Sequence, residues 1–182
     1  MSRNTNRWSL KQLHERFLAQ CSHNTVRVQG AVRERPLEVD LLSPLPQRIR
    51  LYLYNATSPP GGRTLGEHKV QLIVPGQKRG MRGDFDHSGG RTALLGGYVS
   101  DDDVFVFWDA GLYVDFAWSR NVQVKPGTVI RASAGQIVTQ QRRLRPRNAP
   151  SAIEVLVAGP ASRLEEVICR RVELTRERIL QE

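Results

Sequence analysis

The 182-residue chain has two cysteines, two methionines and four lysines, and it lacks the run of about 20 apolar residues that a membrane-spanning helix needs. Cys21 and Cys169 lie far apart and no CxxC occurs, which excludes a disulfide framework or a zinc cluster; both read as buried apolar filler. The first residues, Met1–Arg7, hold no apolar stretch of a secretory signal. No phosphate loop of the form GxxxxGKS/T is present, no serine sits in a GxSxG elbow, and neither cysteine has a neighbouring histidine in a nucleophile motif. These absences predict a cytoplasmic protein with no membrane contact, no metal, no cofactor and no catalysis of its own.

Arginine is what the chain has in excess. Of 27 cations 23 are Arg, against 18 acids, for a formal net charge of +9. A coding bias would give this composition without function. Recognition of phosphates and bases would also give it, because the planar five-donor fork of Arg outperforms a point charge there. The distribution bears on the choice. Residues 160–182 carry five charges of each sign, whereas seven cations and no acid lie between Asp115 and Glu154. A solvated face normally mixes signs, so this stretch fits a polyanion footprint.

Two helices bracket a β-rich middle. Ser9 and Gln12 form a capping box before Leu10, Leu13, Phe17, Leu18 and Cys21, which fall on one helical face. Ser162 and Glu165 read as a second box before Leu164, Val167, Ile168 and Val172. Between them, strands are expected at 25–29, 37–42, 48–54, 67–74, 92–98, 104–108, 121–124 and 153–158, separated by Pro- and Gly-rich turns. Pro126-Gly127 reads as one such turn, and 140–151, with four Arg and two Pro, as an exposed loop. The expected fold is mainly β with flanking helices, an antiparallel barrel-like (pseudobarrel) domain over residues 1–159. Residues 160–182 are expected to form a C-terminal helix connecting to another domain.

Three segments could carry chemistry. After an apolar strand, Pro75–Gly83 gathers three glycines with Lys78, Arg79 and Arg82, and Gln77 stands beside them. Glycine lets backbone N–H groups approach an anion that the cations neutralise. Next, Trp118, Ser119, Arg120, Asn121 and Gln123 follow in close order; Arg can read guanine bidentately, Asn and Gln can read adenine, and an aromatic ring can stack on a base. The third is His68, Lys69 and Gln71 on a strand that ends in Leu72-Ile73-Val74. Arg142, Arg143, Arg145 and Arg147 add a cluster suited to phosphates. Glu67-x-Lys69 also has the spacing of a nuclease metal-site strand, with Asp40 as the upstream acid. Asp84, Asp86 and His87 could chelate a metal, although a solvated turn is the better account, and Asp101-Asp102-Asp103 reads as a turn.

Several stretches together resemble a known kind of module: Tyr52–Asn55, Gly66–Leu72, Pro75–Gln77, Val106–Ala110 and Trp118–Val124. They are similar to the DNA-recognition domains joined to nucleases in bacterial, modification-sensing restriction endonucleases. Two relatives within that group resemble the pattern. One is the sulfur-binding domain of enzymes that cut phosphorothioate-modified DNA, whose resemblance implies an aromatic and aliphatic pocket near His68, Lys69 and 117–119. The other is the pseudobarrel effector domain of EcoRII-like enzymes, whose resemblance implies two arms in the major groove, at 75–83 and 116–123. Both imply restriction-modification and antiviral defence, with binding to double-stranded DNA, modified (for example methylated) or unmodified, and cutting by a separate nuclease domain or subunit. The DNA-binding set expected is His68, Lys69, Gln71, Gln77, Lys78, Arg79, Arg82, Trp118, Ser119, Arg120, Asn121, Gln123, Arg142, Arg143 and Arg145. The competing readings are a small Mg-dependent nuclease built on Glu67 and Lys69, and an RNA-binding module.

Overall fold

The computed structural model describes residues 6–46, 48–58, 66–145 and 150–182. Its elements in chain order are α1 (Leu10–Gln20), β1 (Thr25–Gln29), β2 (Leu37–Leu41), β3 (Arg48–Asn55), β4 (His68–Leu72), β5 (Arg82–Gly83), β6 (Thr92–Val99), β7 (Val104–Trp108), β8 (Phe116–Ala117), β9 (Arg120–Val124), α2 (Pro126–Ser133), β10 (Val138–Leu144), β11 (Ala152–Pro160) and α3 (Leu164–Ile179). The chain is mainly β with a helix at each end, as expected. Seven strands form one sheet in the order β1-β2-β3-β6-β7-β11-β10, which is open rather than closed into a barrel. The pairing is antiparallel except between β3 and β6, which run parallel from Ile49↔Thr92 to Asn55↔Tyr98. Parallel neighbours need a long crossover, and this one carries β4 and β5 away from the sheet. That excursion supplies β4 and β5 to the outer layer, which β8, β9 and α2 complete.

The central strands explain the layering. All of Val104–Trp108 is buried, and a strand apolar on both sides must be covered on both sides. On one face α1 and α3 pack Leu13, Phe17, Val167 and Ile168 against Ile49, Leu51, Phe105, Phe107 and Val157. On the other, Val70, Leu72, Val122, Val124 and Val129 cover Tyr52, Tyr54, Leu95, Val106, Trp108 and Leu156. β4 and β9 pair with each other as a two-stranded ribbon, β5 and β8 as a second short pair. The ribbon lies close to the sheet because β6 offers glycine there: a Cβ on Gly97 would stand 2.9 Å from Val70 Cγ2 and 3.0 Å from Trp108 Cζ3.

The start of α1 forms as its sequence dictates. Gln12 N donates to Ser9 Oγ at 3.3 Å and Ser9 N to Gln12 Oε1 at 2.9 Å. The expected box at the start of α3 does not form. A 3-10 turn, Ala161–Arg163, leads into the helix with no side-chain cap, and Glu165 instead accepts from Asn24 Nδ2 at 2.5 Å, fastening α3 to the segment that follows α1. Two further elements differ from expectation. Pro126-Gly127 opens α2 instead of a turn, proline being suited to the first helical position. Residues 138–144 form β10 instead of the start of a loop. Its inward positions include Gln140 and Arg142, so the period-two apolar signal is missing, and hydrogen bonds replace it: Lys125 N and Thr128 Oγ1 donate to Gln140 Oε1 at 2.8 and 2.9 Å.

Candidate nucleic-acid interface

The β4–β9 ribbon has one apolar and one polar face, and its register decides which residues share each. Lys69 stands opposite Gln123 and Gln71 opposite Asn121. Val70, Leu72, Val122 and Val124 anchor the inner face, so alternation turns Lys69, Gln71, Asn121 and Gln123 outward as one group. Four residues drawn from two of the expected segments thus meet on a single surface. Successive outward residues on a strand are about 7 Å apart, two base-pair steps of duplex DNA. The backbone beneath them is held firmly. Trp108 Nε1 and Arg142 Nη1 both donate to the Gln123 carbonyl, at 3.4 and 3.3 Å, and Lys69 exchanges a pair of 2.9 Å backbone hydrogen bonds with Thr57.

Beyond the ribbon's end lies a second exposed feature. Arg82 pairs with Ala117 across β5 and β8, and Trp118-Ser119 forms the turn into β9 with Ser119 at φ 59°. Arg82 Nε meets Asp115 Oδ1 at 3.2 Å, its Nη2 donates to the Asp115 carbonyl, and Asp115 N donates to Asp84 Oδ1 at 2.7 Å. Lys78 and Arg79 are exposed on the loop above, with no ion pair among the described residues. Gln77 is the post on which this loop rests. It is buried, accepts from Val74 N at 3.2 Å, and donates to the carbonyls of Met81 at 3.2 Å and Phe116 at 3.3 Å.

Other expected contact residues lie elsewhere. His68 is buried on the ribbon's inner face, with Nδ1 2.9 Å from the Gly66 carbonyl. Arg120 also turns inward and stands over the Tyr113 ring at 5.6 Å; its Nε is buried with no hydrogen-bond partner among the described residues. The arginine cluster is divided by the strand it sits on. Arg142 points to the ribbon side and pairs with Glu154 at 3.1 Å. Arg143, opposite Ile153, projects from the face that carries α3, away from the ribbon. Arg145 is exposed beyond the strand, and Arg147 lies outside the described residues. A loop would have let all four reach one phosphate backbone, whereas strand alternation sends neighbours to opposite faces.

Much of the charge is structural. Glu154 is fully buried; Tyr113 Oη donates to it at 2.7 Å and Asp109 N at 3.3 Å, and burial holds its carboxyl above the usual carboxylate range. Burial and Glu154 together push the Tyr113 hydroxyl far up. Asp109, also buried, receives Arg178 Nε at 2.8 Å and Arg171 Nη2 at 3.4 Å, which ties α3 to the end of β7. Toward the β2 edge of the sheet Arg91 joins Glu38 and Asp40 at 3.0 Å each, and Arg50 joins Glu38 and Asp86 at 2.8 Å each. Asp40 and Asp86, two acids considered for metals, are therefore each engaged by arginine. Among the described residues no three His, Cys, Asp or Glu side chains gather where they could hold a metal ion. Asp101–Asp103 is the turn expected, with Asp103 accepting Arg16 at 2.5 Å. Cys21 is buried and its thiol is pushed up to about 12, as befits inert filler. Cys169 is only half-buried, against the same core, because it lies on the margin of the α3 face that packs on the sheet.

No helix is long and apolar enough to cross a membrane among the described residues. No curated protein and no solved structure matches the chain. A family model does match, over residues 47–168, from the start of β3 into α3, and its designation fits a restriction-modification context. Covering well over half of the sequence, that match places the chain in the methylase-associated X1 family.

Proposed function

We propose that this chain is a double-stranded DNA-binding module that reads a short or modified site for a restriction-modification system and leaves modification or cutting to a methylase or nuclease partner. The observation that carries the reading is the outward face of the β4–β9 ribbon, where Lys69, Gln71, Asn121 and Gln123 are grouped by register. The major groove admits a two-stranded ribbon; Lys can read guanine there, and Asn or Gln can read adenine bidentately. Lys78 and Arg79 on the adjoining loop supply charge to neutralise phosphates, and such contacts position the ribbon without specifying sequence. The two pairs of readers, two base-pair steps apart, correspond to a core site of about three base pairs.

Selection of bound fragments from methylated and unmethylated genomic DNA, followed by affinity measurements on the enriched sequence and a scrambled control, tests the reading. Asn121→Ala is expected to lose discrimination between the two while keeping nonspecific affinity. Arg79→Ala is expected to weaken both equally and to lower the salt slope by about one. Equal losses on specific and scrambled duplexes for both variants, or no binding of duplex DNA at all, would sink the proposal.

A further inference from the structure

Most large apolar side chains of this protein are buried, and two of the exceptions stand together beside the ribbon. Met81 is 48% exposed and Trp118 39% exposed. The short ladder ends at Arg82↔Ala117, so Met81 and Trp118 are the residues that flank its open end, and Gln77 bonds the carbonyls of Met81 and Phe116 at this tip. The base of this tip is stiff. Phe85 and Phe116 pack at 5.1 Å between centroids, and Gln77 ties Met81 and Phe116 together through their carbonyls. Gly83 is pressed against Gln77, since a Cβ there would come within 2.7 Å of its amide. Two apolar side chains held in water at the end of a rigid turn contribute little to the core. Exposed apolar side chains at such a tip are free to make a contact outside the domain.

The surroundings determine what it contacts. Lys78 and Arg79 sit three and two residues before Met81, whereas Asp84 and Asp115 are occupied within the turn by the Asp115 amide and Arg82. Trp118 precedes Asn121 by three residues, across the Trp118-Ser119 turn that leads into the ribbon. An apolar tip beside cations and next to the ribbon that carries Asn121 matches a polyanion with apolar layers inside it, which is stacked duplex DNA. From this geometry we infer that Met81 and Trp118 form a wedge that enters a base step next to the ribbon, with Trp118 stacking on the exposed base. The inference rests on the DNA-binding reading and adds a local opening of the duplex to it. Apolar side chains, Met among them, do this in other proteins by partly unstacking a step, and aromatic rings stack on bases of any sequence.

A mismatch or an abasic site is already unstacked and lowers the cost of entry, so it is the probe of choice. The full chain is titrated with a 30-base-pair duplex of mixed sequence, fully paired or carrying one central abasic site, with 2-aminopurine beside the centre. The protein is expected to bind the abasic duplex roughly tenfold more tightly and to change the 2-aminopurine fluorescence. Trp118→Ala and Met81→Ser should each lose that preference and the fluorescence change, while the salt slope, which charged contacts set, stays that of the unaltered protein. Equal affinity of the unaltered protein for the two duplexes, or a preference that survives in both variants, overturns the wedge and leaves DNA binding standing. Failure to bind either duplex overturns the DNA-binding reading itself, and the wedge with it.

Discussion

Arg142→Ala tests which member of the adjacent pair Arg142 and Arg143 is held in the interior. In the sequence Arg142 and Arg143 are adjacent and equivalent, yet only Arg142 reaches Glu154, at 3.1 Å. Glu154 has no exposed surface, and its other donors are the Tyr113 hydroxyl and the Asp109 amide. Removing one partner of a buried ion pair costs about 3–5 kcal/mol. Because two donors remain, the lower end applies, about 3 kcal/mol, or roughly 6–12 °C in Tm for a domain of this size. The loss depends on pH. Burial already holds the Glu154 carboxyl above its ordinary range, and removing the guanidinium raises it further. A carboxyl raised in the folded state keeps a proton that the unfolded chain releases, so stability falls as pH rises from the ordinary carboxylate range through the folded value. The deficit of the variant is therefore largest near neutral pH and shrinks on acidification toward about pH 4.5. Thermal melts across that interval, with Arg143→Ala as control, measure it. If Arg142→Ala melts with Arg143→Ala at neutral pH, or if its deficit does not change with pH, the assignment of Arg142 to the interior is refuted.

Two substitutions test the packing of the layers around the sheet. Gly97→Ala should force Val70 and Trp108 apart and cost about 1–3 kcal/mol, seen as a lower unfolding midpoint; an unchanged midpoint would show that the ribbon does not rest on the sheet there. Asp109→Asn should leave the buried Arg171 without its anion and release Arg178, so amide protection along the second half of α3 should drop sharply while that of β3 falls less. Uniform protection across α3 in the variant would contradict the role of Asp109 as its anchor.

Much of the fold is legible in the sequence because its signals are local. Turn residues bound β3, β6 and β7, and the capping box of α1 needs only Ser9 and Gln12. The elements that escape share a cause. β10 is hidden because Gln140 and Arg142, which face inward, look like solvent-facing residues until Lys125, Thr128 and Glu154 are seen beside them. α2 is hidden because Pro-Gly reads as a turn when no neighbour shows what Val129 and Ala132 pack against. For the interface, residue chemistry alone points to Lys69, Gln71, Asn121 and Gln123. It points equally to His68, Gln77 and Arg120, whose inward placement depends on contacts with Gly66, Met81, Phe116 and Tyr113. Met81 belongs to no motif, although an apolar residue between Gly80 and Arg82 on a basic loop is a signal of its own.

By itself the sequence determined the mainly β class, the helix at each end, the arginine-rich character and which stretches hold side chains able to read bases. These follow from periodicity, turn chemistry and composition, which act over a few residues. Only the tertiary structure decided which of those side chains share a face. The crossover from β3 to β6 lifts β4 out of the sheet to pair with β9, a strand far along the chain, in a register that sets Leu72 opposite Arg120 and Gln71 opposite Asn121. That pairing joins two distant segments into one face. Strand alternation, with its period of two, then assigns Arg142 to a buried carboxylate and Arg143 to the opposite side of the sheet.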